Sequence, residues 1–227
     1  MTHPLKWKLV AFDWDGTLAD TRQVAYQALR TVFEKYCLSP PSKEVFMENI
    51  SSDEKMAFYY KHGIPMSATR KDLNTIWQQY FNDPQRLHEF SLRDGSKEVL
   101  HAFHNAGLKV SIVSGSGHAI ITTGLTKFDL VDLVDHIEAD ACGKIDELYR
   151  TISRFSIDPK EAIYIDDTFE GLSAAKSVGL TAIGIMGGFN TQERLLTASP
   201  DYLIKSLYEL LPIFGLSRSI QKKRFIL

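Results

Sequence analysis

The segment from Lys8 to Thr21 reads K-L-V-A-F-D-W-D-G-T-L-A-D-T, and it determines how the rest of the chain is interpreted. Its apolar run, Leu9 to Phe12, stops at two aspartates one residue apart, Asp13 and Asp15. A short apolar run that ends in a turn predicts a buried strand of a parallel sheet. Ligands of open α/β sheets bind beyond the carboxyl ends of the strands. The segment therefore predicts either a functional pair of carboxylates or an Asp-Gly turn that caps the next helix.

The composition is that of an ordinary globular protein, and it argues against several classes of partner. The chain has 227 residues, of which 44% are hydrophobic and 24% charged, with a formal net charge of −2. This is enough for one large domain, or for a core domain with a small insertion. The charge gives no reason to expect nucleic acid or an anionic membrane as a partner, and no apolar run is long enough to cross a bilayer.

The chain ends and the two cysteines favour a cytoplasmic protein. Met1 to Trp7 contains no extended apolar stretch, so we expect no signal peptide. Cys37 and Cys142 lie far apart and do not form a metal-type spacing, which is typical of a reduced, cytosolic protein. The basic residues between Arg218 and Leu227 predict a frayed tail or, as the alternative, a docking segment. The pattern predicts no particular oligomeric state.

Helical and strand patterns occupy different parts of the chain. Between Asp20 and Phe90 apolar residues recur at helical spacing, and no strong strand pattern is found. From Arg93 onward, short apolar strands alternate with helices, which predicts βαβ units with right-handed crossovers. We therefore expect an α/β fold, with a Rossmann-like, doubly wound parallel sheet and an all-helical insertion. The insertion would comprise residues 20–90, and the core domain residues 1–19 and 91–227.

Three predicted strands end in polar residues that would lie along one edge of this sheet. These strand ends are Asp13 with Asp15, Ser114 with Gly115, and Asp166 with Asp167. Four carboxylates that converge there repel one another, and a bound divalent cation relieves the repulsion. Carboxylate oxygens suit Mg²⁺, which shares its coordination sphere with water and phosphate oxygens. The sequence therefore predicts a magnesium site rather than aspartates that only cap helices.

Two further features would place a phosphate pocket beside the metal. The segment Ser114-Gly-Ser-Gly117 opens a predicted helix, and backbone N–H groups at a helix N-terminus bind anions. Lys144, in A-C-G-K-I-D, follows a short apolar segment and could supply a fixed positive charge at the same edge. On local sequence alone, however, a solvated lysine is the simpler interpretation.

Taken together, these segments resemble the haloacid dehalogenase superfamily of phosphatases and phosphotransferases over almost the whole chain. D-W-D-G-T at Asp13 to Thr17 matches the first motif of that family, and I-V-S-G at Ile112 to Gly115 matches the second. Lys144 takes the place of the third-motif lysine, and Ile163 to Gly179 matches the fourth motif. Its two adjacent acids are typical of the branch that contains phosphoglycolate phosphatases and β-phosphoglucomutases. The helical insertion lies where that branch carries a cap domain.

Two positions depart from the family pattern. Ile145 follows Lys144, where the third motif often has proline. Gly171 stands four residues after Asp167, where many members place a second acid, so that task would fall to Asp166.

The resemblance implies a catalytic role for three residues. Asp13 would be the nucleophile that attacks phosphorus and forms an aspartyl-phosphate. Asp15 would protonate the leaving oxygen and then take a proton from the attacking water. Lys144 would neutralise the charge shared by Asp13 and the phosphoryl group.

The resemblance also implies binding roles. Thr17 and Ser114 would hydrogen-bond the phosphoryl group or the Asp15 loop, and the backbone N–H groups of Trp14 and Gly115 would hold phosphoryl oxygens. The Trp14 side chain is interpreted as a packing residue or, alternatively, as one that flanks the entrance. The implied ligands of Mg²⁺ are Asp13, Asp166, Asp167 and Asp15, the last through its backbone carbonyl.

These roles imply a magnesium-dependent phosphatase that acts on a small phosphorylated metabolite beneath a closing helical cap. One alternative is a sugar phosphomutase of the β-phosphoglucomutase type, because the motif residues do not separate transfer to water from transfer to a sugar. Another is a non-catalytic binding module with the same fold. Asp15 argues against dehalogenases and phosphonoacetaldehyde hydrolases, which do not use an acid at that position.

Overall fold

The computed structural model describes residues 6–49, 55–81 and 83–217, and the basic tail discussed above lies outside them. The strands are β1 (Leu9–Phe12), β2 (Ala19–Asp20), β3 (Ser91–Leu92), β4 (Lys109–Val113), β5 (His136–Glu138), β6 (Ala162–Asp166), β7 (Thr181–Ile185) and β8 (Tyr202–Ile204). The α-helices are α1 (Arg22–Lys35), α2 (Lys43–Asn49), α3 (Lys55–Lys61), α4 (Arg70–Phe81), α5 (Ser96–Asn105), α6 (His118–Lys127), α7 (Ile145–Phe155), α8 (Phe169–Val178), α9 (Gln192–Thr197) and α10 (Leu210–Ile213).

The predicted doubly wound sheet is confirmed. Six strands form one sheet in the order β5-β4-β1-β6-β7-β8, and every neighbouring pair is parallel. From β1 the chain builds outward on one side through β4 and β5, and on the other side through β6, β7 and β8. The strand order therefore reverses beside β1, which is where open α/β sheets bind their ligands.

Alternating side chains of the central strands fill a hydrophobic core on each face of the sheet. Val10 and Phe12 of β1 belong to a core that also contains residues of α5 and of the C-terminal segment around Phe214. Leu9 and Ala11 belong to the opposite core, with residues of α7 and α8. This alternation follows from the two-residue period of a strand, and burial on both faces explains why β1 is a continuous apolar run.

The helices α1 to α4 pack around a separate hydrophobic cluster. The members used below, called the aromatic cluster, are Phe33 of α1, Phe46 of α2 and Trp77 of α4. The ring centroids of Phe46 and Trp77 lie 5.8 Å apart. The helical prediction for this region is therefore confirmed in the described residues. The apolar pattern also predicts a helix from Asp53 to His62, of which residues 53 and 54 lie outside the described residues. Within the described ranges, no helix is both long enough and apolar enough to cross a bilayer.

A short antiparallel ribbon joins the two ends of this helical region and was not predicted. Ala19 of β2 pairs with Leu92 of β3, and Asp20 pairs with Ser91. Each strand has only two residues, which is too few to give a periodic signal in the sequence. The ribbon places the chain's departure from the core and its return side by side.

The apolar pattern of the sequence predicts a last helix from Lys205 to Phe214, but the observed α-helix is shorter. Ser206 and Glu209 form a reciprocal capping box, so that a 3₁₀ turn, Leu207–Glu209, begins only after the serine. The α-helical part, α10, follows this turn and ends at Ile213.

Candidate active site

Strand register brings the three predicted strand ends together. Phe12, the last residue of β1, pairs with Ile112 of β4 and with Ile165 of β6. Asp13 continues the ladder, because its backbone N–H donates to the carbonyl of Ile165 over 2.9 Å. Asp166 follows Ile165 directly, and Ser114 follows the end of β4. The polar residues of all three strand ends therefore lie at the same edge of the sheet.

Three acids and one lysine form what we call the acid cluster: Asp13, Lys144, Asp166 and Asp167. Carboxylate oxygens of the three aspartates lie within 4.8 Å of one another, and all three residues are buried. The ammonium group of Lys144 lies 2.8 Å from Asp13 Oδ1 and 2.7 Å from Asp166 Oδ2. Its side chain is only 14% exposed, so the interpretation of Lys144 as a solvated lysine is wrong.

The backbone before α7 directs Lys144 into this cluster. Gly143 and Lys144 both have positive φ angles, 85° and 65°, and α7 begins at the next residue. A proline at position 145 would bias the preceding residue toward extended backbone. Ile145 imposes no such bias, so this departure from the family pattern fits the left-handed conformation of Lys144.

Hydrogen bonds fix the other two acids of the cluster. The backbone N–H and the hydroxyl of Thr168 both donate to Asp166 Oδ1 over 2.7 Å. The Thr17 hydroxyl donates to Asp167 Oδ1 over 3.0 Å, and the backbone N–H of Phe189 donates to Asp167 Oδ2 over 2.6 Å. Thr17 therefore supports the acid cluster and not the side chain of Asp15, because the loop after β1 folds back across the end of β6.

Three glycines make room for these carboxylates. A Cβ atom built on Gly16 would lie 2.2 Å from Asp167 Oδ2, and one on Gly188 would lie 2.1 Å from it. A Cβ atom on Gly171 would lie 1.8 Å from Asp166 Oδ2. Such contacts are too short for any larger residue. Gly171, the second departure from the family pattern, thus leaves the space that the Asp166 carboxylate fills.

The charges in the acid cluster are under-compensated. Burial raises the pKa of Asp13 well above its usual range, Lys144 opposes this, and the neighbouring carboxylates add to it. Burial and the carboxylate of Asp166 raise the pKa of Asp167 to about 7. Burial alone would lower the pKa of Lys144, but Asp13 and Asp166 hold it well above the usual range of a lysine.

The donor set of the acid cluster fits a divalent cation. Three carboxylates face one ammonium group, which leaves two uncompensated negative charges if all three are ionised. Carboxylate oxygens are the hard ligands that Mg²⁺ takes in proteins, usually together with water and phosphate oxygens. Asp13, Asp166 and Asp167 are thus the side chains that could hold such an ion.

The side chain of Asp15 has a hydrogen-bond partner outside the acid cluster. Its Oδ2 atom accepts a hydrogen bond from the hydroxyl of Ser116. Its Oδ1 atom is buried and has no hydrogen-bond partner within the described residues. Burial raises the pKa of Asp15, and the hydrogen bond from Ser116 opposes that rise. Ser116 was missed in the sequence, although it is the second serine of the S-G-S-G segment.

The Trp14 side chain packs in the core, so its interpretation as a residue that flanks the entrance is wrong. The indole is fully buried and meets the ring of Phe90 edge-on, with centroids 6.3 Å apart. A Cβ atom on Gly124 of α6 would lie 2.5 Å from the indole, so the helix approaches the ring only because that residue is glycine. The alternation of side chains along the chain turns Trp14 inward between Asp13 and Asp15.

The residues after β4 lie beside this loop. Ser114 is buried, and its Oγ atom accepts a hydrogen bond from the backbone N–H of Ser116 over 3.3 Å. Gly115 is exposed at the turn, close to the carbonyl of Ala141. The structure therefore places Ser114 and Gly115 at the same edge as Asp13, next to the loop that leads to Lys144.

Arg93 is a further residue of the site that the sequence did not reveal. Its guanidinium donates to the carbonyl of Gly16 and, over 2.6 Å, to the carbonyl of Met186. It thereby ties the loop after β1 to the loop after β7. Gly16 and Arg93 are 77 positions apart, and no local pattern predicts such a contact.

Comparison with known proteins identifies relatives along almost the whole chain. The family model for haloacid dehalogenase-like hydrolases matches residues 10–185. Pyrophosphatase PpaX from Bacillus velezensis is 24% identical over 215 residues, which cover 91% of this chain and 95% of that protein. Phosphoglycolate phosphatase from Salmonella typhi is 24% identical over 238 residues, which cover 92% of this chain and 93% of that protein.

Solved structures share the fold. A haloacid dehalogenase-like family hydrolase from Streptococcus pneumoniae has a TM-score of 0.78 at 19% identity, with coverage of 92% of this chain and 99% of that one. CbbY from Rhodobacter sphaeroides in complex with phosphate has a TM-score of 0.74 at 23% identity, with coverage of 92% and 100%. At these identities the likeness establishes the fold alone. The family model, however, spans the chain from β1 to β7, and the protein therefore belongs to the haloacid dehalogenase-like hydrolase family.

Proposed function

We propose that the protein is a magnesium-dependent phosphatase that hydrolyses a small phosphorylated metabolite through an aspartyl-phosphate on Asp13. The observation that carries the proposal is the acid cluster, in which a buried carboxylate pairs with a lysine beside two further acids at the strand-order reversal. The names of the relatives support it, since a pyrophosphatase and a phosphoglycolate phosphatase both act on phosphate compounds.

The proposed reaction has two steps. In the first, an Asp13 oxygen bonds to phosphorus while the bond from phosphorus to the leaving oxygen breaks, and Asp15 gives that oxygen a proton. In the second, a water oxygen bonds to phosphorus, Asp15 takes a proton from the water, and the bond between Asp13 and phosphorus breaks. Inorganic phosphate leaves, and both aspartates return to their starting states.

The surrounding residues would supply charge and position. Lys144 would offset negative charge on Asp13 and the phosphoryl group, while Ser114 and the backbone N–H groups of Trp14 and Gly115 would contact phosphoryl oxygens. Mg²⁺ held by Asp13, Asp166, Asp167 and the Asp15 carbonyl would stabilise charge on the transferring group.

We also propose that residues 20–90 form a cap domain over a core domain of residues 1–19 and 91–227. The separate hydrophobic cluster of α1 to α4 and the β2–β3 ribbon support this division. Such a cap would exclude bulk water and contact the organic part of the substrate. The two cysteines, both free and exposed, support a reducing, cytoplasmic location.

The proposal is tested with a panel of phosphate esters, including p-nitrophenyl phosphate and a hexose 1-phosphate, assayed with Mg²⁺ and with EDTA. We expect release of inorganic phosphate with Mg²⁺ and little with EDTA. Asp13→Asn, which is nearly isosteric, should lose at least about 10³-fold in kcat and stay folded. The matched control is Asp158→Asn, since Asp158 only caps a 3₁₀ turn far along the chain.

Three outcomes would contradict the proposal. Full activity of Asp13→Asn would show that Asp13 is not the nucleophile. Conversion of the hexose 1-phosphate to a hexose 6-phosphate without free phosphate would identify a mutase. A folded wild-type protein that binds phosphate esters but turns over none of them would identify a binding module.

A further inference from the structure

We infer that Ser116 is a positioning residue for Asp15, fixing the orientation of the carboxylate through one of its two oxygens. The inference rests on the proposed function and adds to it the residue that sets the orientation of the acid. Ser116 is 3% exposed, and its hydroxyl donates to Asp15 Oδ2 across a separation of 101 positions in the sequence. A buried contact between such distant segments is a property of the fold and not of a local turn.

The backbone of Ser116 is itself anchored at both of its polar groups. Its N–H donates to Ser114 Oγ over 3.3 Å, and its carbonyl accepts from the backbone N–H of Asp140 over 2.9 Å. These contacts link the turn after β4 to the loop that leads to Lys144. The Ser116 hydroxyl is therefore presented from a fixed support, and a fixed donor is what orients a carboxylate.

The two oxygens of Asp15 have different surroundings. Oδ2 receives the hydrogen of the Ser116 hydroxyl, whereas Oδ1 has no partner at hydrogen-bond geometry within the described residues. The Thr21 hydroxyl is nevertheless near enough to lower the pKa of Asp15. Asp15 and Thr21 line a small, partly enclosed cavity, whose other walls are the apolar Val24, Phe81, Phe90 and Ile120 and the charged Asp83 and Arg86. The Ser116 hydroxyl therefore fixes which way the Asp15 carboxylate faces.

The test exploits the fact that a general acid matters most when the leaving group is poor. Phenolate is a poor leaving group and 2,4-dinitrophenolate a good one, so we compare kcat/KM for phenyl phosphate and 2,4-dinitrophenyl phosphate with Mg²⁺. For Ser116→Ala we expect a loss of about tenfold or more with phenyl phosphate, and of less than about threefold with the dinitrophenyl ester. Ser116→Thr keeps the hydroxyl and should restore most of the lost rate.

The matched control is Ser111→Ala on β4. Ser111 is fully buried, and its hydroxyl has no hydrogen-bond partner within the described residues. Its removal deletes a buried hydroxyl from the strand that precedes the Ser116 turn and leaves the hydrogen bond to Asp15 in place. We expect this variant to hydrolyse both esters at rates close to those of the wild type, and thermal unfolding shows whether each variant is folded.

Several results would overturn the inference while leaving the phosphatase proposal intact. A loss in Ser116→Ala that is equal for both esters would mean that Ser116 acts on the phosphoryl group or on folding. A loss confined to phenyl phosphate in Thr21→Val, and absent in Ser116→Ala, would assign the positioning role to Thr21. If the wild-type protein hydrolyses neither ester nor any other on the panel, the proposed function itself fails.

Discussion

The acid cluster and the aromatic cluster are both buried, but the first consists of charged side chains and the second of aromatic rings. The acid cluster gathers three carboxylates and one ammonium group at the end of the sheet, and hydrogen bonds and glycines fix their positions. The aromatic cluster gathers rings from three helices, and nothing in it is charged. Burial of charge costs free energy, whereas burial of rings lowers the free energy of the folded state.

This difference suggests a division of labour. On the proposed function, the acid cluster carries the chemistry at a cost in stability, and the aromatic cluster stabilises a region to which that function assigns no reacting group. Substitutions in the two clusters should therefore separate activity from stability. The four expectations below test that separation, from the largest effect to the smallest.

Removal of Lys144 should have the largest effect on activity, because it leaves Asp13 and Asp166 without their cation. For Lys144→Ala we expect kcat/KM for p-nitrophenyl phosphate to fall at least about 100-fold. In EDTA, urea unfolding should show a loss of about 3 kcal/mol, the usual cost of breaking a buried ion pair on one side. The control is Lys176→Ala, whose exposed pair with Asp201 should contribute less than about 1 kcal/mol. Equal effects of the two substitutions on activity and stability would show that the buried ion pairs of Lys144 contribute no more than an exposed pair.

Truncation of the aromatic cluster should act on stability alone. Phe33 is fully buried, so Phe33→Ala should lower the free energy of unfolding by about 3–5 kcal/mol. At temperatures where the variant is folded, kcat for p-nitrophenyl phosphate should stay within about threefold of the wild type. Tyr149→Ala, at an exposed position on α7, is the control and should change stability by about 0.5 kcal/mol or less. A large fall in kcat for the folded Phe33→Ala protein would show that the aromatic cluster also affects catalysis, and would contradict the separation.

Magnesium should stabilise the protein through the acid cluster. A ligand that binds only the folded state adds about 2.7 kcal/mol when its concentration is 100 times its Kd. We therefore expect the Tm to rise with added MgCl₂ and to return to its starting value with EDTA. Asp167→Asn should lose most of this rise, while Asp158→Asn keeps it. A rise of the same size in Asp167→Asn would place the ion elsewhere.

The smallest effect is expected where the insertion joins the core. Arg22 donates two hydrogen bonds to the half-buried Asp20, and these bonds lower the pKa of Asp20 against the opposing effect of burial. A lowered pKa means that the pair stabilises the fold above the unfolded pKa of about 3.9 and stops doing so as the pH falls further. Asp20→Asn should therefore cost less than about 1 kcal/mol at pH 7, and nothing at the acid end of a series of urea melts. A difference that grows toward low pH would contradict this assignment.

The sequence was most informative where side chains follow directly from strand order. Asp13, Ser114 and Asp166 each come at the end of an apolar run, and parallel strands end on one side, so their convergence follows from the fold class. Lys144 could not be placed on local sequence, because its direction depends on a left-handed backbone that an A-C-G-K-I segment does not reveal. The motif resemblance gave it a role that the local pattern did not.

Contacts between distant loops were beyond prediction from the sequence. Ser116 meets Asp15, and Arg93 meets Gly16, only because two loops cross the same sheet edge. The interpretation of Trp14 as a packing residue is confirmed, but its pocket could not be predicted, since it exists only because Gly124 lets α6 approach. Such contacts depend on the positions of whole elements, which single-residue patterns do not encode.

The β2–β3 ribbon has a consequence for how this architecture can change over evolutionary time. The two ends of the helical region pair with each other in one short antiparallel ladder. The region is therefore a closed loop of chain, and its two ends keep the same positions when the length between them changes. The conformational entropy lost when such a loop is closed rises only with the logarithm of its length. Insertions, deletions or replacement of the helical region should therefore change the free energy of the sheet little. If the region is the proposed cap, new substrate preferences can arise there while the residues of the acid cluster stay the same.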